Sequence, residues 1–444
     1  MSVLDGGVRR EWDRRGDVGL LLLLVACLTS LALLPGKGTE DVFAWQRWMD
    51  QVLTLGLRAG YVAARGDYPP GCVAVLLPVA WLARAFDLPP LLALKLSLLL
   101  ALWATSLVAW LWTRQTSQAA ALHIALALNA AGLGYLDVFF GLPLLFSFLA
   151  YRRGRLALAG FAFGAASLVK WQPLIVAPCF ALHLVAGDGR WRERLVRAAR
   201  FGLPVVGLLA GARVVFGPEM SEAFDRAASH GYLSGDALNL SWLFQIAVRA
   251  WAPDWFGGLP GRDAVLSREA LLISTHEPAI VLPLRLLFAL SYVAVLLLLA
   301  RSRRGFPALV AASLFASLAY FAFNTGVHEN HLFLVVVLAA ILAWEEPARR
   351  RLYLIWALAA SFNLWLFYGL GGTPWTLVDR YGLEVSGIAA AACLTLVLFT
   401  LADLADVLSG EPSAAPAGML WPASERDQGR SHDDGRASDP EPEP

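Results

Sequence analysis

The sequence predicts an all-α polytopic membrane protein of about twelve transmembrane helices, with short interfacial helices at the outer face of the bilayer. Three observations predict it. Hydrophobic residues make up 58% of the 444, and mean hydropathy is +0.57. Long apolar runs recur from Val18 to Thr400. The charges gather in short clusters between those runs, which marks topology rather than a binding face. A net charge of +1 gives no reason to expect a nucleic-acid partner.

The first run, 18–34, lacks a small-residue cleavage motif and is followed by further runs, so it is expected to stay as a helix. The others lie at 91–113, 119–135, 138–151, 156–170, 171–186, 201–216, 279–300, 306–323, 332–346, 352–370 and 384–407. An even number puts both termini on one side. Arg9, Arg10, Arg14 and Arg15 precede the first run, and Arg114, Arg152-Arg153, Arg155, the 189–200 loop, Arg301, Arg303-Arg304 and Arg349 to Arg351 fall on the same side. By the excess of arginine this side is the cytoplasm. The alternation holds only if 71–86 does not cross. That stretch has 16 residues, contains Arg84 and ends at Asp87 and Pro89-Pro90, where a span needs about 20 apolar residues. It is read as a re-entrant or interfacial helix on the outer face. The outer side then receives 35–90, the neighbourhood of Asp137, the long 217–278 loop, 324–331 and 371–383.

This divides the chain into a cytoplasmic N-terminus (1–17), a core (18–346) with outer loops 35–90 and 217–278, C-terminal transmembrane helices (347–410) and a cytoplasmic tail (411–444). The tail holds eight acidic residues, three arginines and little apolar content, and is expected to be disordered. No inverted repeat of the transporter kind is visible. The four cysteines, Cys27, Cys72, Cys179 and Cys393, stand singly in apolar runs, so neither a disulfide nor a cysteine metal site is expected.

Polar residues collect on the outer side. Glu40 and Asp41 follow the first run. The next 18 residues read as an amphipathic helix whose Phe43, Trp45, Trp48, Val52, Leu55 and Leu57 can lie in the interface; an aromatic belt with acidic flanks has the same spacing. In "RGDYPPG", Pro69-Pro70 imposes extended backbone, and a rigid turn explains Asp67 and Tyr68 better than direct chemistry does. Asp137, in "GYLDVFFG", is either a helix cap or a site residue. Lys170 stands between two apolar runs, one of three lysines against 33 arginines, and a charge at that depth suggests function more than anchoring. In "NTGVHENHLF", His328 and His331 share a face if they form the first turn of a helix, with Glu329 and Asn330 pointing elsewhere. That spacing suits a metal, an anion or a plain helix cap; HExxH is absent and no third ligand is near in sequence. Asn239 and Trp242 precede an apolar stretch of the 217–278 loop.

Taken in order, these residues resemble the GT-C superfamily of membrane glycosyltransferases over about 18–346. The likeness lies in Glu40-Asp41, Tyr68-Pro69-Pro70, Asp137 before a short run, Lys170 with Pro173, Asn239 to Trp242, and His328, Glu329 and His331. Within the superfamily the pattern is similar to bacterial relatives of the GPI-mannosyltransferase and glycosyltransferase-87 groups. It departs in one place, reading Gly-Tyr-Leu-Asp where many relatives have Gly-Gln-x-Asp. The resemblance implies transfer of a sugar, mannose by default, from a polyprenyl-phosphate donor to a lipid or glycan acceptor. The implied reaction would be a single displacement with inversion on the extracytoplasmic face of a bacterial inner (plasma) membrane, among membrane lipids. Asp41 would be the catalytic base. Glu40, Tyr68, Asp137, Lys170, Asn239, Trp242, His328, Glu329 and His331 would bind substrate, with Lys170 and the histidines on the phosphate. No cofactor and no metal ligand are expected, although some relatives use a divalent ion. The rival class is a transporter or flippase for a lipid-linked or anionic solute, and a non-enzymatic assembly factor with a degenerate site is a third. An enzyme requires Asp41, Lys170 and His328 or His331 around one cavity; a transporter requires a polar path through the membrane.

Overall fold

A computed structural model describes residues 4–186, 190–256, 258, 273–302, 305–372 and 383–409, for 4–17 and 383–384 the backbone alone. The chain divides into two units, Met1–Glu411 and Pro412–Pro444, and every described residue belongs to the first. The tail read as disordered, most of the turn at 371–383 and the stretch 259–272 of the long loop lie outside the described residues.

The chain is an all-α polytopic membrane protein, and each of the twelve apolar runs forms a helix. The first run lies in α1 (Leu4–Leu33). Two short helices follow, α2 (Asp41–Leu55) and α3 (Leu57–Ala64), then α4 (Gly71–Ala85) and α5 (Pro90–Thr113). α6 (Thr116–Ala127) runs into a π-turn at Leu128–Gly132, and α7 (Asp137–Arg152) packs against α8 (Leu156–Val169). A 3-10 turn, Gln172–Val176, opens α9 (Ala177–Ala186), followed by α10 (Trp191–Phe216) and α11 (Glu219–Ala228). Next come α12 (Leu240–Trp251), α13 (Pro253–Phe256), α14 (Pro278–Arg301) and α15 (Phe306–Phe323). The chain closes with α16 (Leu332–Glu345), α17 (Arg350–Tyr368) and α18 (Leu383–Ser409). Among the described residues five stretches are long and apolar enough to cross a membrane: α5, α10, α14, α15 and Val385–Ser409 of α18.

The bundle sorts its helices by what surrounds them. α10 and α14 leave most of their apolar surface uncovered, with Leu203, Val206, Leu286 and Leu290 outward, as lipid-facing helices do. α15 and α16 are apolar on every side and buried on nearly every side, so protein rather than lipid is their solvent. They form the central hairpin, and its connecting turn is the stretch Asn324 to His331. α4 has 15 residues, about 22 Å, against the roughly 30 Å of a bilayer core. It buries Cys72, Leu76 and Val79 against the neighbouring helices.

The α2–α3 pair differs from the interfacial expectation in which face is turned inward. Trp45, Trp48 and Val52 are buried in the protein, while Phe43, 73% exposed, and Leu55 face outward. Asp41, Trp45 and Trp48 follow the i, i+4, i+7 spacing of one helical face, and that face packs inward. The C-terminal helices are part of the bundle as well: α18 packs on α12 and α15, and α17 reaches the turn of the central hairpin.

Candidate active site

The segment leading to Asp41 is held by a buried lysine. Lys95, 1% exposed, donates from Nζ to the carbonyl oxygens of Leu34 at 3.1 Å, of Gly36, and of Gly132 at 3.0 Å. All three ammonium hydrogens are thereby used. The Gly38 amide donates to Gly371 O at 3.1 Å and the Thr39 amide to Leu133 O at 3.0 Å. These bonds tie the approach to Asp41, the first residue of α2, to the π-turn that precedes Asp137.

The 65–70 loop is fixed from several sides. Arg226 donates twice to Gly66 O, at 3.0 and 2.7 Å, and pairs with Glu219. Trp171 Nε1 donates to Asp67 O at 2.9 Å and the Tyr61 hydroxyl to Tyr68 O at 3.0 Å. Pro69-Pro70 then turns directly into α4. His230 Nε2 lies 2.7 Å from Asp67 Oδ2. Burial by itself would raise the Asp67 carboxyl, but the hydrogen bond and charge of His230 outweigh it and keep the group below its ordinary value. The neighbouring Tyr68 phenol is pushed well up, first by burial and then by the charges of Asp41, Asp67 and Asp137.

Lys170 stands in extended conformation where α8 ends. Its Nζ is 2.5 Å from Asp137 Oδ1, with side-chain exposures of 8% and 1%, and Asn129 Nδ2 donates to the other carboxylate oxygen at 2.9 Å. Asn129 lies in the π-turn, a local widening of the helix common at functional sites. Asp137 is therefore the buried counter-ion of Lys170; it makes no helix-capping bond and is not among the residues lining the cavity. The ammonium sits 5.7 Å from the Tyr68 ring centroid.

The turn of the central hairpin is not the helical turn expected from HxxH. Val327–His328 pair in parallel with Ser234–Gly235, and Glu329–His331 form a 3-10 turn. Gly326, at φ +69, donates its amide to Tyr232 O at 2.9 Å, a conformation that suits glycine. A Cβ on Gly235 would press into the His328 ring, so the strand pair lets that imidazole lie close. The three imidazoles form a chain, with ring centroids 5.4 Å apart for His230–His328 and 5.8 Å for His328–His331. The His328 amide donates to His331 Nδ1 at 3.3 Å, which puts the proton of a neutral His331 ring on Nε2. Burial, then the charges of Lys170, His328 and His230, push His331 well below its usual value, so it is neutral at neutral pH. Glu329 is buried and accepts at Oε1 from the hydroxyls of Tyr135 and, at 2.8 Å, of Tyr368.

These parts surround one cavity of about 920 Å³. Of the residues singled out in the sequence, Asp41, Tyr68, Lys170, His328, Glu329 and His331 line it. Glu329 and Asn330, expected to point elsewhere, line it too, because a 3-10 turn spreads successive side chains by a third of a revolution. Asp137 lies behind Lys170. Asn239 and Trp242 do not reach the wall: both are buried, Asn239 accepts from the Trp242 amide at 2.9 Å as the N-cap of α12, and Trp242 Nε1 donates to Ser386 at 3.0 Å. They join α12 to α18 and to the central hairpin. Glu40 is exposed and not among the lining residues.

Sequence reasoning missed several polar members of the wall, among them Asp67, Gln172, His230, Arg285 and Asn330. Asp67 was read as part of a rigid turn rather than for its chemistry, and its partner His230 lies 163 residues away. Arg285 donates to Thr325 Oγ1 at 2.9 Å; an arginine inside the apolar run of α14 was a usable signal. Gln172 and Asn330 carried no signal of their own. Phe288, Tyr292, Tyr320, Leu174 and Ile175 form an apolar part of the cavity beside Arg285. Among the described residues no three His, Cys, Asp or Glu side chains are grouped to hold a metal ion.

The arrangement can take a proton at a carboxylate and hold an anion with Lys170 and imidazole N–H groups. A family model described as Glycosyltransferase family 87 matches residues 67–323. No curated protein matches the chain.

Proposed function

The chain belongs to glycosyltransferase family 87, and from that membership we propose that it moves a sugar, mannose by default, from a polyprenyl-phosphate donor to a lipid or glycan acceptor on the extracytoplasmic face of a bacterial inner membrane. It is a membrane glycosyltransferase with a donor and an acceptor substrate; the finer terms are our reading. The observation that carries it is the gathering of Asp41, Lys170, His328 and His331 around one cavity.

In this reading the acceptor hydroxyl gives its proton to the Asp41 carboxylate as its oxygen attacks the anomeric carbon. Attack comes from the face opposite the phosphate. The carbon–oxygen bond to the phosphate breaks, and the electron pair leaves with the phosphate oxygen. One displacement inverts the anomeric centre. Lys170 supplies a fixed positive charge to the departing phosphate, and its pair with Asp137 holds it there before the charge develops. Neutral His331 supplies an Nε2–H donor, and His328 stands beside it. The apolar wall from Phe288 to Tyr320 suits the first part of a polyprenyl chain.

The test is transfer by the purified protein from a panel of labelled polyprenyl-phosphate sugars, with the anomeric configuration of the product determined. Transfer with inversion is expected. Retention, or transfer from sugar nucleotides alone, would overturn the reading.

A further inference from the structure

Two buried carboxamides line the cavity, and the transfer chemistry does not use them. Gln172 and Asn330 are 6% and 4% exposed, and the amide oxygen of each has no hydrogen-bond partner among the described residues. Buried polar atoms are nearly always partnered, and an unmet one at a cavity wall calls for a ligand. The terminal torsions of Gln and Asn are broad and nearly two-fold. A half-turn exchanges oxygen and nitrogen, so either side chain can turn an acceptor or a pair of N–H donors toward the cavity. That dual character matches a sugar hydroxyl, itself donor and acceptor.

Their place in the chain puts them beside the groups assigned to the donor's phosphate. Gln172 is two residues from Lys170, and Asn330 is next to His331. The donor's anomeric carbon is bonded to the phosphate that those two groups handle, and its C2 hydroxyl lies one carbon further on. The wall that carries Asp41 is aromatic instead: Trp45 and Trp48 meet Tyr68 at centroid distances of 5.1 and 5.9 Å. It offers faces for the acceptor to lie on.

We propose that Gln172 and Asn330 bind the hydroxyls of the donor's sugar and set which sugar is transferred, through the C2 position above all. The inference rests on the lipid-phosphate donor reading of the same site. The full-length protein is assayed with its preferred polyprenyl-phosphate sugar, the C2 epimer and the 2-deoxy analogue, as wild type, Gln172→Met and Asn330→Leu. Both variants are expected to lose about tenfold or more in kcat/KM for the preferred donor while keeping most of the activity on the 2-deoxy donor, so that discrimination collapses. Where either variant fails to fold, Gln172→Glu or Asn330→Asp replaces it; these keep shape and lose the N–H donors. A preference between the epimers unchanged within about twofold in both variants overturns this inference and leaves the donor reading standing. A wild type that transfers from no lipid-phosphate sugar overturns both.

Discussion

Replacing Lys170 by alanine removes the cation assigned to the phosphate, but it also leaves Asp137, 1% exposed, with Asn129 as its one polar side-chain partner among the described residues. Breaking a buried ion pair from one side costs about 3–5 kcal/mol. The single variant therefore confounds folding with catalysis. Lys170→Met combined with Asp137→Leu removes both charges, and such exchanges are often neutral or stabilising in buried sites. Stability, read by thermal or detergent unfolding, should fall in Lys170→Ala and return in the double variant. Turnover should not return, because a fixed charge at the developing anion is worth about 10²–10³ in rate. Recovery of transfer to within about tenfold of wild type in the double variant would refute the reasoning and make Lys170 only the counter-ion of Asp137.

Asp41→Asn should reduce transfer by about 10²–10⁴ while the protein still inserts and purifies normally; normal turnover would remove Asp41 as the base. Gly235→Ala should lower kcat by displacing the His328 ring, with Gly235→Ser no better; unchanged kcat in both would show that the ring position is immaterial. His331 titrates lower in the folded protein than its ordinary value near 6.5, so the unfolded chain binds more protons as pH drops through that value. Its contribution to stability is lost below about pH 6.5, and His331→Gln should flatten that part of the stability–pH curve; an unchanged slope would refute it.

Much of the fold is legible because composition decides it. All twelve apolar runs are helices, and the failure of 71–86 to reach span length anticipates the short α4. Length was less informative for α8, α9 and α16, which have 14, 10 and 14 residues. α16 is short because its surroundings are protein, a fact that depends on the other helices and not on its own residues. The site was legible where a charge interrupts an apolar run, as at Lys170. It was illegible where function rests on a distant partner. Nothing local to Asp137 names Lys170, and nothing local to Asp67 names His230. HxxH suggested a helical turn because its spacing fits one; the strand partner at Ser234–Gly235 lies in a loop more than 90 residues earlier in the chain. Asn239 to Trp242 bear on the same point: a short stretch that looked like part of a site holds helices together and does not reach the cavity wall.

The two tyrosines on Glu329 have a consequence for how the enzyme is made. One precedes the carboxylate by 194 residues and the other follows it by 39, in α17. A ribosome delivers these helices in order, N-terminus first. Asp41, Lys170 and the histidines are all synthesised by residue 331, but the Tyr368 hydroxyl that holds Glu329 follows later. A chain interrupted after α16 would carry Asp41, Lys170 and both histidines of the hairpin turn but lack the α17 tyrosine that grips Glu329.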